Sequence, residues 1–133
     1  MASADWYNSV TKRIINCAIG VHKELGPGLM ESVYDVCLRK MLGKEGLSFK
    51  SQVVVPVCFE GEVLDKIFMI DLLVEDEIVV ELKAIEIILP IHESQLLTYL
   101  KLAGKRLGLL INFNVVLLKD DIRRRINGNL NSV

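Results

Sequence analysis

Ile67-Phe68-Met69-Ile70-Asp71-Leu72-Leu73-Val74-Glu75-Asp76-Glu77-Ile78-Val79-Val80-Glu81-Leu82-Lys83-Ala84 is two apolar runs joined by three acidic residues, and each run carries charge where a plain core strand has none. Glu75, Asp76 and Glu77 form a polar turn, so the runs are expected to fold back as an antiparallel hairpin. With Asp76 at the centre, Asp71 and Glu81 are equidistant from the turn and oppose each other across the pair. Directly opposed side chains have Cβ atoms ~4.5–5.5 Å apart, and like charges in that relation are destabilising. Strand side chains alternate with period two, so Lys83 projects on the same side as Glu81. Two carboxylates and an ammonium on a half-buried sheet face are what a hard-cation site handling phosphate requires. The competing explanation is an ordinary solvated sheet face. Against it, both flanking runs are almost wholly apolar, and a charge in a central strand needs compensation.

The 133 residues are expected to form one domain over 1–133, with an aliphatic core: 51% of residues are hydrophobic and only 6% aromatic. A formal net charge of −1 excludes nucleic-acid binding through a strong overall field, although local basic patches remain. Cys17, Cys37 and Cys58 are too few and too widely spaced for a disulfide framework or zinc cluster, and they fit a reducing compartment. The N-terminal residues lack a basic region followed by an apolar run, and no segment is long enough to span a membrane. A soluble, cytoplasmic protein is expected.

Trp6, Val10, Ile14, Cys17, Ala18, Val21 and Leu25 recur at helical spacing, and Gly26-Pro27-Gly28 ends that helix. A second helix is expected from about Leu29 to Lys44. Ser51–Phe59 is β-branched and forms a strand, with Glu60-Gly61-Glu62 turning into the Asp71 strand. Pro90 precedes a third helix over about Ile91–Ala103, closed by Gly104. Leu107–Ile111 and Val115–Leu118 are expected as short strands linked by Asn112-Phe113-Asn114. Asp120–Asn127 is expected as a short basic helix, and the last residues as frayed. The predicted order is therefore ααβββαββα. A right-handed crossover from the Glu81 strand to the Leu107 strand makes those two parallel, in a small mixed sheet with helices on both faces.

Further candidate residues sit on the helices. Glu31 and Tyr34, three apart, share a face; an acid in a first helical turn is also explained by the helix dipole, and a tyrosine by packing. Gln95 and Tyr99 share a face of the third helix with His92, while His22 closes the first. Either histidine is more simply a cap or surface residue than a ligand. Lys101, Lys105 and Arg106, and Arg123, Arg124 and Arg125, are the basic clusters able to track phosphates or merely to solubilise the surface.

Together these residues resemble the PD-(D/E)xK nuclease superfamily, and more closely the small proteins within it named for a GxxExxY motif. Gly28, Glu31 and Tyr34 match that motif; Asp71, Glu81 and Lys83 match the D…ExK core; Gln95 and Tyr99 match the Q-x-x-x-Y helix of the RecB-like branch. Ile70 stands where the superfamily's name has proline. The resemblance implies a restriction-endonuclease-like core and one Mg²⁺ or Mn²⁺ held by Asp71, Glu81, the Leu82 carbonyl and Glu31. It further implies Lys83 in the chemical step, and Gln95, Tyr99 and Tyr34 in positioning substrate. The function implied is a metal-dependent nuclease acting on DNA or RNA. The alternative is a noncatalytic module binding nucleic acid or protein on the same fold, as a homo-oligomer or beside a partner.

Overall fold

A computed structural model describes residues 2–130. Helix α1 (Ala4–Leu25) is capped by Ser3, whose hydroxyl accepts the Trp6 N–H at 3.1 Å. It is followed by α2 (Glu31–Lys44), β1 (Phe49–Phe59), β2 (Glu62–Val74), β3 (Ile78–Lys83), α3 (Pro90–Ala103), β4 (Leu107–Asn112), a 3₁₀ turn (Leu118–Asp121) and β5 (Ile122–Ile126). The sheet runs β1-β2-β3-β4-β5, with every neighbouring pair antiparallel except β3 and β4. Its one parallel pair is the one joined through α3, as the crossover reading requires. The β2–β3 hairpin turns through Glu75, Asp76 and Glu77; the Glu77 N–H donates to the Val74 carbonyl at 3.1 Å, and Glu75 and Asp76 between them both take positive φ. Among the described residues no helix is long and apolar enough to cross a membrane.

Two elements differ from the expected order ααβββαββα. Val115–Leu118 is not a strand: Val116 is 91% exposed, and the segment is a run of bends leading into the 3₁₀ turn. The basic segment expected as a helix over Asp120–Asn127 is instead β5, paired antiparallel to β4 from Leu107↔Ile126 to Ile111↔Ile122. All six residues of β4 are buried, and its second edge needs a partner for its N–H and C=O groups. Three consecutive arginines serve an edge strand well, because their stems lie on the sheet while their charges deter further strand addition.

The core lies in two layers. On one face α1 (Ile14, Ala18, Val21) and α2 (Tyr34, Leu38, Leu42) pack against Leu72, Val74, Ile78, Val80, Leu82, Leu109 and Ile111. On the other, Leu96 and Leu100 of α3 pack against Ile70, Leu73, Val79 and Leu110. Regular alternation would put Ile70 with Leu72, so the facing of β2 slips by one residue at Asp71. β1 slips at the same level, since Phe49 joins the first layer and Val53 the second. The register brackets Gln52 against Asp71, and Gln52 has φ 53°. One left-handed residue in an edge strand thus accompanies the kink at which the first candidate carboxylate sits.

Two further positions fix the site's supports. A Cβ at Gly108 would lie 2.8 Å from Leu96 Cδ1 and 3.2 Å from Leu100 Cδ2, so glycine lets α3 lie directly on β4. Asn112, fully buried, pairs with Lys83 in the parallel register. Its Nδ2 donates to the Ile85 carbonyl at 2.9 Å and to Asp121 Oδ2 at 2.8 Å; its Oδ1 accepts the Ile85 and Asn114 N–H groups at 3.0 and 3.2 Å. Phe113 N–H also donates to the Lys83 carbonyl at 2.9 Å. Gly108→Val is expected to cost about 1–3 kcal/mol, the usual penalty of overpacking. Asn112→Ala is expected to cost about 3 kcal/mol or more, because it strands several buried polar groups. Urea denaturation monitored by circular dichroism measures both.

Candidate active site

Regular β2–β3 pairing runs from Val74↔Ile78 to Leu72↔Val80, and one step further brings Asp71 opposite Glu81. Here the side chains take over the ladder. The Asp71 N–H donates to Glu81 Oε1 at 3.2 Å, and the Leu82 N–H donates to Asp71 Oδ2 at 2.8 Å. Each carboxylate thus accepts a backbone N–H from the other strand, leaving Asp71 Oδ1 and Glu81 Oε2 outside these bonds. Glu81 is only 7% exposed, and its carboxyl is pushed up to about 9, first by burial and then by the negative charge of Asp71. Lys83 offsets this only in part. Glu81 is therefore the carboxyl that keeps its proton near neutral pH.

Glu31 opens α2 and lines, with Asp71, an open cleft between α2 and β1. Its carboxyl is held above the ordinary range by partial burial and by Asp71, against the lowering effect of Lys83. Tyr99 stacks on Phe68, with ring centroids 4.3 Å apart and planes 18° from parallel. Burial raises its phenol, and the charges of Glu81 and Asp71, felt from the α3 side, raise it further. Gln95, one turn earlier on α3, is exposed. The structure thus gathers Asp71, Glu81, Lys83, Glu31 and Tyr99 about the splayed end of β2 and β3.

Tyr34 corrects the expectation that it positions substrate. It is fully buried, its ring stacks on Phe113 with centroids 4.6 Å apart, and its hydroxyl donates to the Gly26 carbonyl at 2.6 Å while accepting the Leu29 N–H at 3.1 Å. Its work is to fasten the turn that delivers Glu31. Gly28, with φ 99°, belongs to the same turn and donates its N–H to Asn114 Oδ1 at 3.1 Å. The histidines are local fasteners too: His22 Nε2 bonds the Val115 carbonyl at 2.7 Å, and His92 Nδ1 accepts the Leu89 N–H at 2.9 Å to cap α3. The tail arginines are engaged inside the molecule. Arg123 and Arg125 pair with Glu93, and Arg124 bonds Asn8 at 2.6 Å.

The donors present suit a hard cation, since carboxylate oxygens and a backbone carbonyl are its preferred ligands and two facing carboxylates lack a counter-charge between them. Among the described residues, no three Asp, Glu, His or Cys side chains converge closely enough to hold a metal as they stand. Sequence inspection overlooked Asn112 and Gln52. Each had a faint signal, a polar residue inside an apolar or β-branched run.

Among curated protein sequences, none matches. Among solved structures, the crystal structure of SSO0001 superposes with a TM-score of 0.50 at 19% identity, covering 75% of this chain and 52% of that one. The likeness is of fold, and this chain spans about half the length of that protein. A model of the PD-(D/E)XK nuclease superfamily matches residues 8–125, which is most of the 133. The mixed five-stranded sheet between helices, with Asp71, Glu81 and Lys83 at the splayed ends of its central strands, is thus the core of a protein that belongs to the PD-(D/E)XK nuclease superfamily.

Proposed function

We propose that this chain is a divalent-metal-dependent nuclease that hydrolyses phosphodiesters of DNA or RNA at Asp71, Glu81 and Lys83. The observation carrying this reading is the opposition of Asp71 and Glu81 in the interior of the sheet, retained at the cost of a proton-trapping, self-repelling pair. A structural domain gains nothing from that arrangement, and a cation relieves it. Asp71, Glu81 and the Leu82 carbonyl are the residues that would hold Mg²⁺ or Mn²⁺, with Glu31 acting directly or through a water. When bound, the ion would supply a polarised phosphate and a water of lowered pKa.

The chain's own groups divide the remaining work. Lys83 lies beside Glu81 and Glu31, where an ammonium orients the attacking water or offsets charge growing on the phosphorane. Tyr99 and Gln95 line the α3 side and steer the strand, while Tyr34 acts indirectly by holding Glu31's turn. The finer kinship with GxxExxY proteins rests on Gly28, Glu31 and Tyr34. Three free cysteines fit the reducing cytoplasm proposed for the protein. A second reading, a noncatalytic binding module acting as a homo-oligomer or with a protein partner, is favoured by the pairing of Arg123 and Arg125 with Glu93, which takes two tail charges out of any grip on nucleic acid.

The raised Glu81 carboxyl has a signed consequence for stability. Because its folded pKa of about 9 exceeds the unfolded value of 4.5, the stabilisation it gives is full below pH 4.5 and is lost as pH rises towards 9. Metal-free wild type is expected to lose melting temperature across that window, and Glu81→Gln to flatten the slope and be more stable by about 1–3 kcal/mol at pH 8. Saturating Mn²⁺ should reverse the order, since a ligand at about 100 times its Kd adds ~2.7 kcal/mol to the protein that binds it. Thermal melts from pH 4 to pH 9, with and without Mn²⁺, read both; equal Mn²⁺ shifts in the two proteins would remove the metal from this site.

Cleavage separates the two functional readings. Lys83→Ala is expected to keep the fold and metal-induced stabilisation while lowering Mn²⁺-dependent cleavage about 10²–10³-fold, because a charge aimed at the phosphorane acts mainly in the transition state. Single- and double-stranded DNA and RNA, incubated with highly purified wild type and Lys83→Ala, provide the assay. Indistinguishable rates would mark any activity as contamination and leave the binding module.

A further inference from the structure

Beside the carboxylate pair, between α2 and β1, lies an open cleft of about 450 Å³, within the range that holds small organic ligands. Its apolar walls are Met30 and Val36, its polar ones Gln52 and Arg39, and its floor ends on Asp71 and Glu31. Three carboxylates, of Glu31, Asp35 and Asp71, face one guanidinium, that of Arg39, and Arg39 Nε is already bound to Asp35 at 2.7 Å. The interior is therefore hostile to a phosphate. It suits an uncharged, flat group with apolar faces and hydrogen-bonding edges.

The second observation is Gln52. Its φ of 53° is uncommon for a residue other than glycine, asparagine or aspartate, and a backbone held there is paid for by the surrounding structure. Of the described non-glycine residues with positive φ, Glu60, Glu75 and Asp76 lie in hairpin turns, and Gln52 alone sits inside a strand, where glycine would keep the kink without strain. Gln52 lines the cleft, opposite Asp71 in the β1–β2 register. An amide offers both donors and an acceptor, the complement of a base edge.

We infer that this cleft is a nucleobase subsite, with Met30 and Val36 against the base faces and Gln52 on its edge, so that the substrate is a strand with an unpaired nucleotide beside the scissile phosphate. The inference rests on the nuclease reading, because that reading puts the phosphate at Asp71 and the neighbouring base at the cleft. A base stacked and paired within a duplex has both its faces and its pairing edge occupied, so it cannot enter; a single strand, loop or flipped nucleotide can. Such strands are commonly held by stacking on aromatic side chains with little sequence preference, and here the aliphatic Met30 and Val36 would take that place.

The test is binding by fluorescence anisotropy in Mn²⁺, in the Lys83→Ala full-length chain, to three labelled probes: a dT 16-mer, a 16-unit abasic deoxyribose-phosphate chain, and the dT 16-mer annealed to dA. The dT strand is expected to bind at least 10-fold tighter than either other probe. Gln52→Gly should keep or raise the melting temperature, weaken the dT strand about 3–10-fold and leave the abasic chain unchanged. Gln52→Val, which cannot hold the left-handed backbone, should weaken both by disturbing Asp71. Equal binding of the dT and abasic chains, a duplex bound as tightly as the single strand, or equal losses on both chains in Gln52→Gly would overturn the subsite while leaving the nuclease reading in place. If the wild type neither binds nor cuts any strand, the nuclease reading fails and the subsite falls with it.

Discussion

The constraint on which the structure depends is the exchange of backbone hydrogen bonds for carboxylate ones where β2 and β3 part. A regular antiparallel ladder would bond the strands through their own amides and carbonyls. At Asp71 and Glu81 the side chains accept those amides instead, each from the opposite strand. This satisfies the donors but sets two carboxyls together, one of them kept protonated near neutral pH, in a layer whose neighbours, Ile70, Leu72, Val80 and Leu82, are almost completely buried. Replacing two facing carboxylates by apolar residues would normally be neutral or favourable in such a place. Ionising both near neutral pH therefore needs a compensating positive charge, and the chain supplies only part of it through Lys83.

Most other unusual features hold that arrangement still. The slip of facing at Asp71 turns one strand through half its period, and Gln52 absorbs the matching slip in β1. Asn112 ties the segment after Lys83 to the end of β4 and to Asp121, so the ammonium stands on a clamped backbone. Gly108 lets α3 approach closely enough for Tyr99, resting on Phe68, to reach the carboxylates from the second face. Tyr34 and Gly28 fasten the turn that presents Glu31 from the first. Contributions thus come from four elements far apart in sequence, meeting at one end of the sheet.

That dispersal explains what the sequence discloses. The β2–β3 hairpin is legible because its charges interrupt otherwise apolar runs symmetrically about Asp76, and the parallel β3–β4 pair follows from a helix lying between two strands. The amphipathic stripe of α1 and the stop at Gly26 are local signals of similar strength. β5 was hidden because three arginines in a row have no strand periodicity; what makes them a strand is the unpaired edge of β4, a tertiary demand. Gln52 and Asn112 were hidden for the same reason: a left-handed backbone angle and a buried amide network are properties of what faces them. Tyr34 was misassigned because spacing gives a helix face but not whether a hydroxyl points outward or into a turn.

The distribution of charge then limits how such a domain can meet a polyanion. Two of its three β5 arginines are paired with Glu93, and the cleft beside the carboxylates is itself acidic, so with a net charge of −1 long-range attraction contributes little. Under the proposed function what remains would be short-range: cation-mediated contact at Asp71 and Glu81, and neutral contacts with the apolar side chains of Met30 and Val36, which stay exposed at the cleft mouth. Contacts of that kind are weakly salt-dependent and cost no desolvation of phosphate beyond the one at the metal. A nuclease gripping its strand in this way discriminates by access to an unstacked base rather than by surface potential, which reconciles a net charge of −1 with an intact Asp71, Glu81 and Lys83 set.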